Sequence, residues 1–479
     1  MKLYKKSVEF FQRFDKKYPY KKDDLGVKFL RNNIQIKLWQ PFAQEIDLLV
    51  YDKEDTKKVV EIIPMTKVRY TWVVNIDLSF EGFYYQFKIT QSNGDVNLAL
   101  DPYVISLAPF NWKGQENGVG KGALVNIKSK EAGPKPRQLK SNLNNSVDPY
   151  IYELHIRDFT SGLEQDRFKS RLGTFDAAID HKIFDYLKEL NITHLQLLPI
   201  QSAYTVNEFD LGIYSKGHGR GWTTNYNWGY DPHNYFSING IYSSDPQNPY
   251  ARIKEFRNFI SKAHQKGIAV IIDVVYNHMM TNTILNNVLP GYYYRNLAKQ
   301  FPVNYPPLAD ERYMVRKLMI DSLKYFVKEF RVDGFRFDLS CFHHFETIDE
   351  IAKELREINP NIILHGEAWP FSDLEHSKSY IKGVRGNNIN FGYFNDTLRD
   401  AIKGSEHEGY FKGLIHEFSE ESFKKYVSSI VGNIKDYDFK GVSHANDTYS
   451  LFADNIGMNL AYSACHDGMT LWDKLNILL

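Results

Sequence analysis

The run Ala269-Val270-Ile271-Ile272-Asp273-Val274-Val275 is apolar on both alternating faces, interrupted only by Asp273. A strand of this kind must be covered on two sides, which is the condition of a parallel sheet packed between helices. It is one of several. Tyr150-Ile151-Tyr152-Glu153-Leu154-His155, His194-Leu195-Gln196-Leu197-Leu198, the stretch ending at Asp338, and Ile362-Ile363-Leu364-His365 read as further strands. Between them, residues 179–190, 253–265, 312–330 and 348–357 carry apolar side chains at helical spacing. Strand–helix alternation predicts a parallel sheet in an α/β fold. This many repeats favours a closed (β/α)8 barrel of the TIM type over an open sheet.

Polar groups at the carboxyl ends of barrel strands converge on one face, where such barrels do chemistry. Three strings put a carboxylate there: Gly334-Phe335-Arg336-Phe337-Asp338, Gly366-Glu367-Ala368-Trp369 and Cys465-His466-Asp467. Alternation along a strand points Arg336 and Asp338 to the same face. A guanidinium beside a carboxylate holds it ionised, as a nucleophile must be, although a buried structural ion pair would read the same way. Glu367, two residues before Trp369, suits a general acid kept protonated by apolar surroundings; the alternative is a surface acid at a strand end. Asp467 after His466 reads equally as a loop hydrogen bond. Two facing carboxyls are the minimum equipment for glycoside hydrolysis, and a third can steady a cationic transition state.

Asp273, Asn277 and His278 close the apolar strand, so His278 can donate to a sugar hydroxyl, or the three can form a capping cluster. In Tyr226-Asn227-Trp228-Gly229-Tyr230-Asp231-Pro232, Tyr230 is placed to stack on a sugar or to fill the core beneath a loop. The adjacent His343 and His344 face apart on regular structure, and no partner spacing supports a metal.

The 479 residues suggest two or three domains. Short alternating runs between residues 27 and 100, such as Ile34-Gln35-Ile36-Lys37-Leu38-Trp39, predict a β-sandwich over residues 1–110. A Gly-, Lys- and Pro-rich linker over 111–147 is expected to pack on a surface rather than in a core. The catalytic unit is then 148–479, with the insert at 204–245 walling its site. The formal charge of +1 offers no basic stripe, so nucleic acid is not an expected partner. The absence of a long apolar segment argues against a membrane-embedded protein. Cys341 and Cys465 read as two reduced thiols, and with no signal-like start the expected location is cytoplasmic.

The carboxylate strings and Asp273-Val274-Val275-Tyr276-Asn277-His278 resemble the four short regions of the α-amylase family (glycoside hydrolase family 13). The 226–232 string, Tyr152-Glu153-Leu154-His155-Ile156-Arg157-Asp158-Phe159 and Thr470-Leu471-Trp472-Asp473-Lys474-Leu475 resemble type I pullulanases more narrowly. The front, with Asp24-Leu25-Gly26 and Leu38-Trp39-Gln40-Pro41, is similar to the glycogen-binding module of family 48.

The resemblance implies retaining hydrolysis of α-1,6 branch linkages in pullulan, amylopectin, glycogen or limit dextrins. Asp338 would be nucleophile, Glu367 acid and base, and Asp467 the stabiliser of the oxocarbenium-like state. Arg336, His278 and His466 would grip the sugar, with Tyr230 beneath it and Asp273 and Trp369 also in the substrate site. No organic cofactor is implied. Asn277 matches a position that binds calcium in some amylases, but calcium is not called for. The same resemblance leads us to expect a barrel lacking its last strand and helix, and no β-domain after it. A separately encoded C-terminal fragment is then a conceivable partner. An α-1,4-acting amylase, a branching transferase, or a truncated product that binds α-glucan without turnover are the competing readings.

Overall fold

The computed structural model describes residues 3–114, 118–140, 143, 147–212, 227–384, 389–405, 411–440 and 451–478. Seven parallel strands follow one another in chain order across a single sheet. They are β1 (Ile151–Leu154), β2 (His194–Leu197), β3 (Ala269–Val274), β4 (Gly334–Phe337), β5 (Ile363–Gly366), β6 (Phe391–Phe394) and β7 (Asn459–Leu460). The sheet is curled, because Gln196 on β2 reaches His365 on β5 through the interior (2.7 Å). This is the strand order of a TIM-type barrel, with β1 and β7 as the two edges among the described residues.

Burial explains the elements. Every residue of β3 is buried, as its apolar run requires. The helix Phe345–Ile358 buries Ile348, Ile351, Ala352 and Leu355, the three-and-four spacing of an inward stripe. Gly334 begins β4 because a side chain there would strike Ile363 on the neighbouring strand. Register then sets Asp273, Arg336 and His365 side by side on β3, β4 and β5.

The front of the chain forms two facing antiparallel sheets. One joins Gly26–Phe29, Ile34–Trp39, Thr71–Ile76 and Thr66–Val68, and the other is built on Glu45–Tyr51 and Tyr84–Thr90. Ile34, Ile36 and Leu38 alternate inward. This sandwich sits directly on the barrel unit. The Gln40 amide donates to the Val288 carbonyl (2.9 Å), Asn287 donates to the Leu98 carbonyl (2.8 Å), and Tyr103 donates to Asp321 (3.1 Å).

Several details differ from the sequence reading. A helix at Val8–Lys17, capped by Ser7, buries Phe11 and Phe14 against Tyr292, joining the sandwich to the barrel. The helix expected over 179–190 is broken at Lys182, which takes a left-handed conformation between Phe175–Asp180 and Ile183–Glu189. The helix Tyr313–Tyr325 widens into a π turn at Phe326–Phe330. The segment expected to lie on a surface buries Val119, Ala123 and Leu124, and its Gly122–Ala123 pairs with Tyr84–Thr90. Its apolar residues were too few to outweigh the Gly and Lys around them in a window reading. β7 is only two residues long, so Cys465-His466-Asp467 follows an irregular stretch rather than capping a strand directly.

A buried pair locks the insert to the barrel. Glu208 accepts from Gly240 N (2.7 Å), Phe110 N (3.0 Å) and Arg252 Nη2 (3.3 Å), and both charged side chains are fully enclosed. Removing one partner strands a buried charge, so Glu208→Ala is expected to cost about 3–5 kcal/mol. Glu164→Ala, which breaks an exposed pair with Arg167, should cost under about 1 kcal/mol. Urea denaturation followed by tryptophan fluorescence measures both. Equal costs would contradict the assignment.

Candidate active site

Arg336 is the hub. It leaves β4 pointing into the mouth of the barrel and is 2% exposed. Its Nη1 donates to both oxygens of Asp273 (3.0 and 2.8 Å) and to Asp338 Oδ1 (3.1 Å). Its Nη2 lies 2.5 Å from Glu367 Oε1. One guanidinium therefore gathers acids from the ends of β3, β4 and β5. Burial opposes its charge, yet Asp273, Glu367 and Asp338 outweigh burial and hold it well above its ordinary pKa. Tyr230 lies against this cluster, donating to Asp273 Oδ2 (2.6 Å) with its ring 5.7 Å from the guanidinium carbon.

The two central carboxyls are held differently. Asp338 Oδ2 accepts from the Asn277 amide (2.7 Å), which also donates to the Asp338 carbonyl (2.9 Å). Glu367 Oε2 accepts from Leu339 N (3.2 Å). Burial raises the Glu367 pKa. Arg336 pulls the other way, and the negative charges of Asp338 and Asp467 add to the rise. An acid whose charged form burial disfavours thus stands across Arg336 from one that accepts a hydrogen bond from Asn277. His278 donates from Nδ1 to Asn277 Oδ1 (2.5 Å), and burial pushes it down to about 4, so its ring is neutral near pH 7.

His466 joins the group from beyond β7. Its ring stacks on Tyr230 (centroids 5.2 Å apart, 19° between planes), and its N and Nδ1 donate to Glu153 Oε1 (2.6 and 3.1 Å). Burial works against the charge of His466, but Glu153 outweighs it and raises the pKa. Glu153 Oε2 also accepts from Gln196 (2.9 Å). Asp467 is exposed and lines one cleft with Glu367, Trp369 and His466. The Lys382 ammonium sits 5.6 Å from the Trp369 ring centroid.

The structure thus brings all nine residues singled out in the sequence to one barrel mouth, with Asp273 and Arg336 enclosed beneath it and Asp467 at its rim. Tyr226 lies outside the described residues. Sequence reading missed Glu153, Arg399 and Tyr462. Glu153 stood in a quoted strand, and its inward alternation was the available signal. Arg399 and Tyr462, bonded at 2.9 Å across the cleft wall, gave none.

Comparison with known proteins identifies the family of this fold. Residues 150–288 match the alpha amylase catalytic domain, and residues 24–104 match carbohydrate-binding module 48, the isoamylase N-terminal domain. Pullulanase A of Streptococcus pneumoniae is 36% identical over 469 residues, covering 92% of this chain and 35% of that protein. Pullulanase of Bacillus subtilis is 27% identical, covering 97% and 62%.

Among solved structures, the catalytic module of the glycogen-degrading pneumococcal virulence factor SpuA, bound to an inhibitor, superposes with a TM-score of 0.85 at 32% identity, covering 97% of this chain and 66% of that one. The pullulanase of Paenibacillus barengoltzii in complex with maltohexaose and α-cyclodextrin gives 0.84 at 30%, covering 97% and 70%. The chain belongs to the α-amylase family, on its type I pullulanase branch. It spans about a third of the length of the pneumococcal pullulanases it matches.

The Glu153 carboxylate favours the charged form of His466. Glu153→Gln should lower the His466 pKa, read by NMR titration of its ring protons. An unmoved midpoint would show that the pair does not set the charge.

Proposed function

We propose that this protein hydrolyses α-1,6-glucosidic branch linkages in pullulan, amylopectin, glycogen or limit dextrins, with retention at the anomeric carbon. The observation that carries the reading is the sharing of Arg336 by Asp338 and Glu367. Retaining chemistry sets its two carboxyls about 5–5.5 Å apart, whereas an inverting pair stands about 6.5–9.5 Å apart to admit a water. Two acids on the ends of one guanidinium fit the closer spacing.

In the first step Asp338 attacks the anomeric carbon as the bond to the leaving oxygen breaks, and Glu367 transfers its proton to that oxygen. In the second, Glu367 takes a proton from water, the water oxygen bonds to the anomeric carbon, and Asp338 departs as carboxylate. Asp467 faces the charge that develops on the sugar. Arg336 and Asp273 are fully enclosed, so their part is to orient the two acids rather than to touch the ring. Tyr230, Trp369 and His466 are the sugar-facing groups, and His278, as buried as Arg336, braces Asp338 through Asn277.

The preference for α-1,6 over α-1,4 linkages is supported by the pullulanases among the relatives, and it keeps a starch-type glucan as the substrate partner. The two free thiols, Cys341 and Cys465, support a reducing, cytoplasmic setting.

Reducing ends released from pullulan as maltotriose are the expected product. Cleavage of amylose with pullulan left intact would contradict the linkage assignment. Because Glu367 must be protonated, activity should fall as pH rises through its raised pKa. Glu367→Gln should remove that alkaline limb and cut the rate by about 10²–10⁴-fold. A limb that survives this substitution would assign the acid elsewhere.

A further inference from the structure

Arg295 lies outside the sugar-facing group, yet it is the point at which the loops behind both central carboxyls meet. We propose that Arg295 is a positioning residue whose guanidinium ties the loop after β4 to the loop after β5, and so fixes Glu367 relative to Asp338. The proposal rests on the reading of those two acids as proton donor and nucleophile.

The geometry is specific. Nη2 donates to the Phe342 carbonyl (2.9 Å), in the segment that follows Asp338. Nη1 donates to Asp373 Oδ1 (2.9 Å), in the segment that follows Glu367. The remaining edge meets Asp310 and Glu311, with Nε 3.3 Å from Glu311 Oε2. Asp310 in turn accepts from His344 N (2.8 Å), adding a second hold on the first loop. The loops are also joined to each other: Tyr380 N donates to the His343 carbonyl (3.0 Å), and the Phe342 and Phe371 rings meet edge to face at 5.7 Å.

Arg295 is itself anchored through its backbone N to the Pro307 carbonyl, and Leu308 N donates to the Asn277 carbonyl (3.0 Å each). Asn277 holds Asp338. A closed circuit therefore runs from Asp338 through Asn277, Arg295 and Asp373 to Glu367.

Asp310, Glu311 and His344 offer ligand atoms within 4.8 Å of one another, a grouping that would suit a divalent cation. The Arg295 guanidinium already fills it, paired with Asp310 and 3.4 Å from His344 Nδ1. A planar fork with five donors serves three directions at once, which a lysine ammonium on a flexible stem does not.

Hydrogen exchange and kinetics of the full chain test this. In Arg295→Met, amides 339–344 and 368–374 should exchange at least about tenfold faster, with the sandwich unchanged. In Asp373→Asn only 368–374 should respond, which keeps the test open should Arg295→Met not fold. A displacement near 1 Å costs about 100-fold, so kcat on pullulan should fall by about that factor in Arg295→Met with KM within about threefold, and Arg295→Lys should not restore it. Hydrolysis of α-maltotriosyl fluoride needs no proton from Glu367, so in Asp373→Asn the pullulan rate should drop about tenfold more than the fluoride rate. Unchanged exchange in both loops, equal acceleration across the whole catalytic unit, or equal loss on both substrates would overturn the proposal. A parent chain inert on pullulan that still gives the two-loop exchange pattern would sink the α-1,6 reading and support the clamp.

Discussion

Burying a guanidinium inside a barrel costs several kcal/mol unless acids surround it, and Arg336 is met by Asp273, Asp338 and Glu367 from three successive strands. One positive charge among three acids leaves an excess of negative charge. That excess falls on the acids that burial already disfavours as anions: Asp273 is pushed up to about 7, and Glu367 is raised as well. Asp338 instead receives the Asn277 amide, a fixed donor from the segment that follows β3. The two central carboxyls thus differ in their surroundings, Glu367 by burial beside other acids and Asp338 by the amide that holds it.

The scaffold serves this arrangement at two levels. Register places Asp273 beside Arg336 and Arg336 beside His365, so adjacent strands deliver the cluster without long loops. Beneath it a polar chain crosses the barrel interior from Glu153 through Gln196 to His365, whose ring burial keeps neutral at a pKa of about 3. Glu153 on β1 also reaches His466 beyond β7, so a carboxylate–imidazole pair links the two edge strands of the described sheet at the level of the site. Outside the barrel, the Val8–Lys17 helix and the sandwich share an aromatic cluster with Tyr292, three residues before Arg295. The front module is in this way continuous in packing with the segment that braces the catalytic loops.

Much of this was legible in the residues. β3 announced itself because residues buried on both faces leave a nearly unbroken apolar run. β1, β2, β4 and β5 are legible in the strand–helix alternation, whereas β6 escaped it. The inward pairing of Arg336 with Asp338 follows from a period of two. What escaped depended on contacts remote in sequence. Glu153 and His466 are 313 positions apart, and no local pattern marks a glutamate as the partner of a distant histidine. Arg295 carries no local signal, since its carboxylates come from segments that only the fold assembles. The break at Lys182 and the π turn before Arg331 are backbone responses to packing that amphipathic spacing does not encode. The short β7 escaped for a related reason: Leu460 to Ser463 has strand-like composition, but only Asn459 and Leu460 find partners on β6.

The central claim is that Asp338 bonds to the sugar while Glu367 supplies the proton, both steadied by Arg336. Trapping tests it most directly. With Glu367→Gln to slow release and α-maltotriosyl fluoride as donor, peptide mass spectrometry should find the maltotriosyl group on Asp338. A glycosyl adduct on another residue, or inverted product with no adduct at all, would contradict the account.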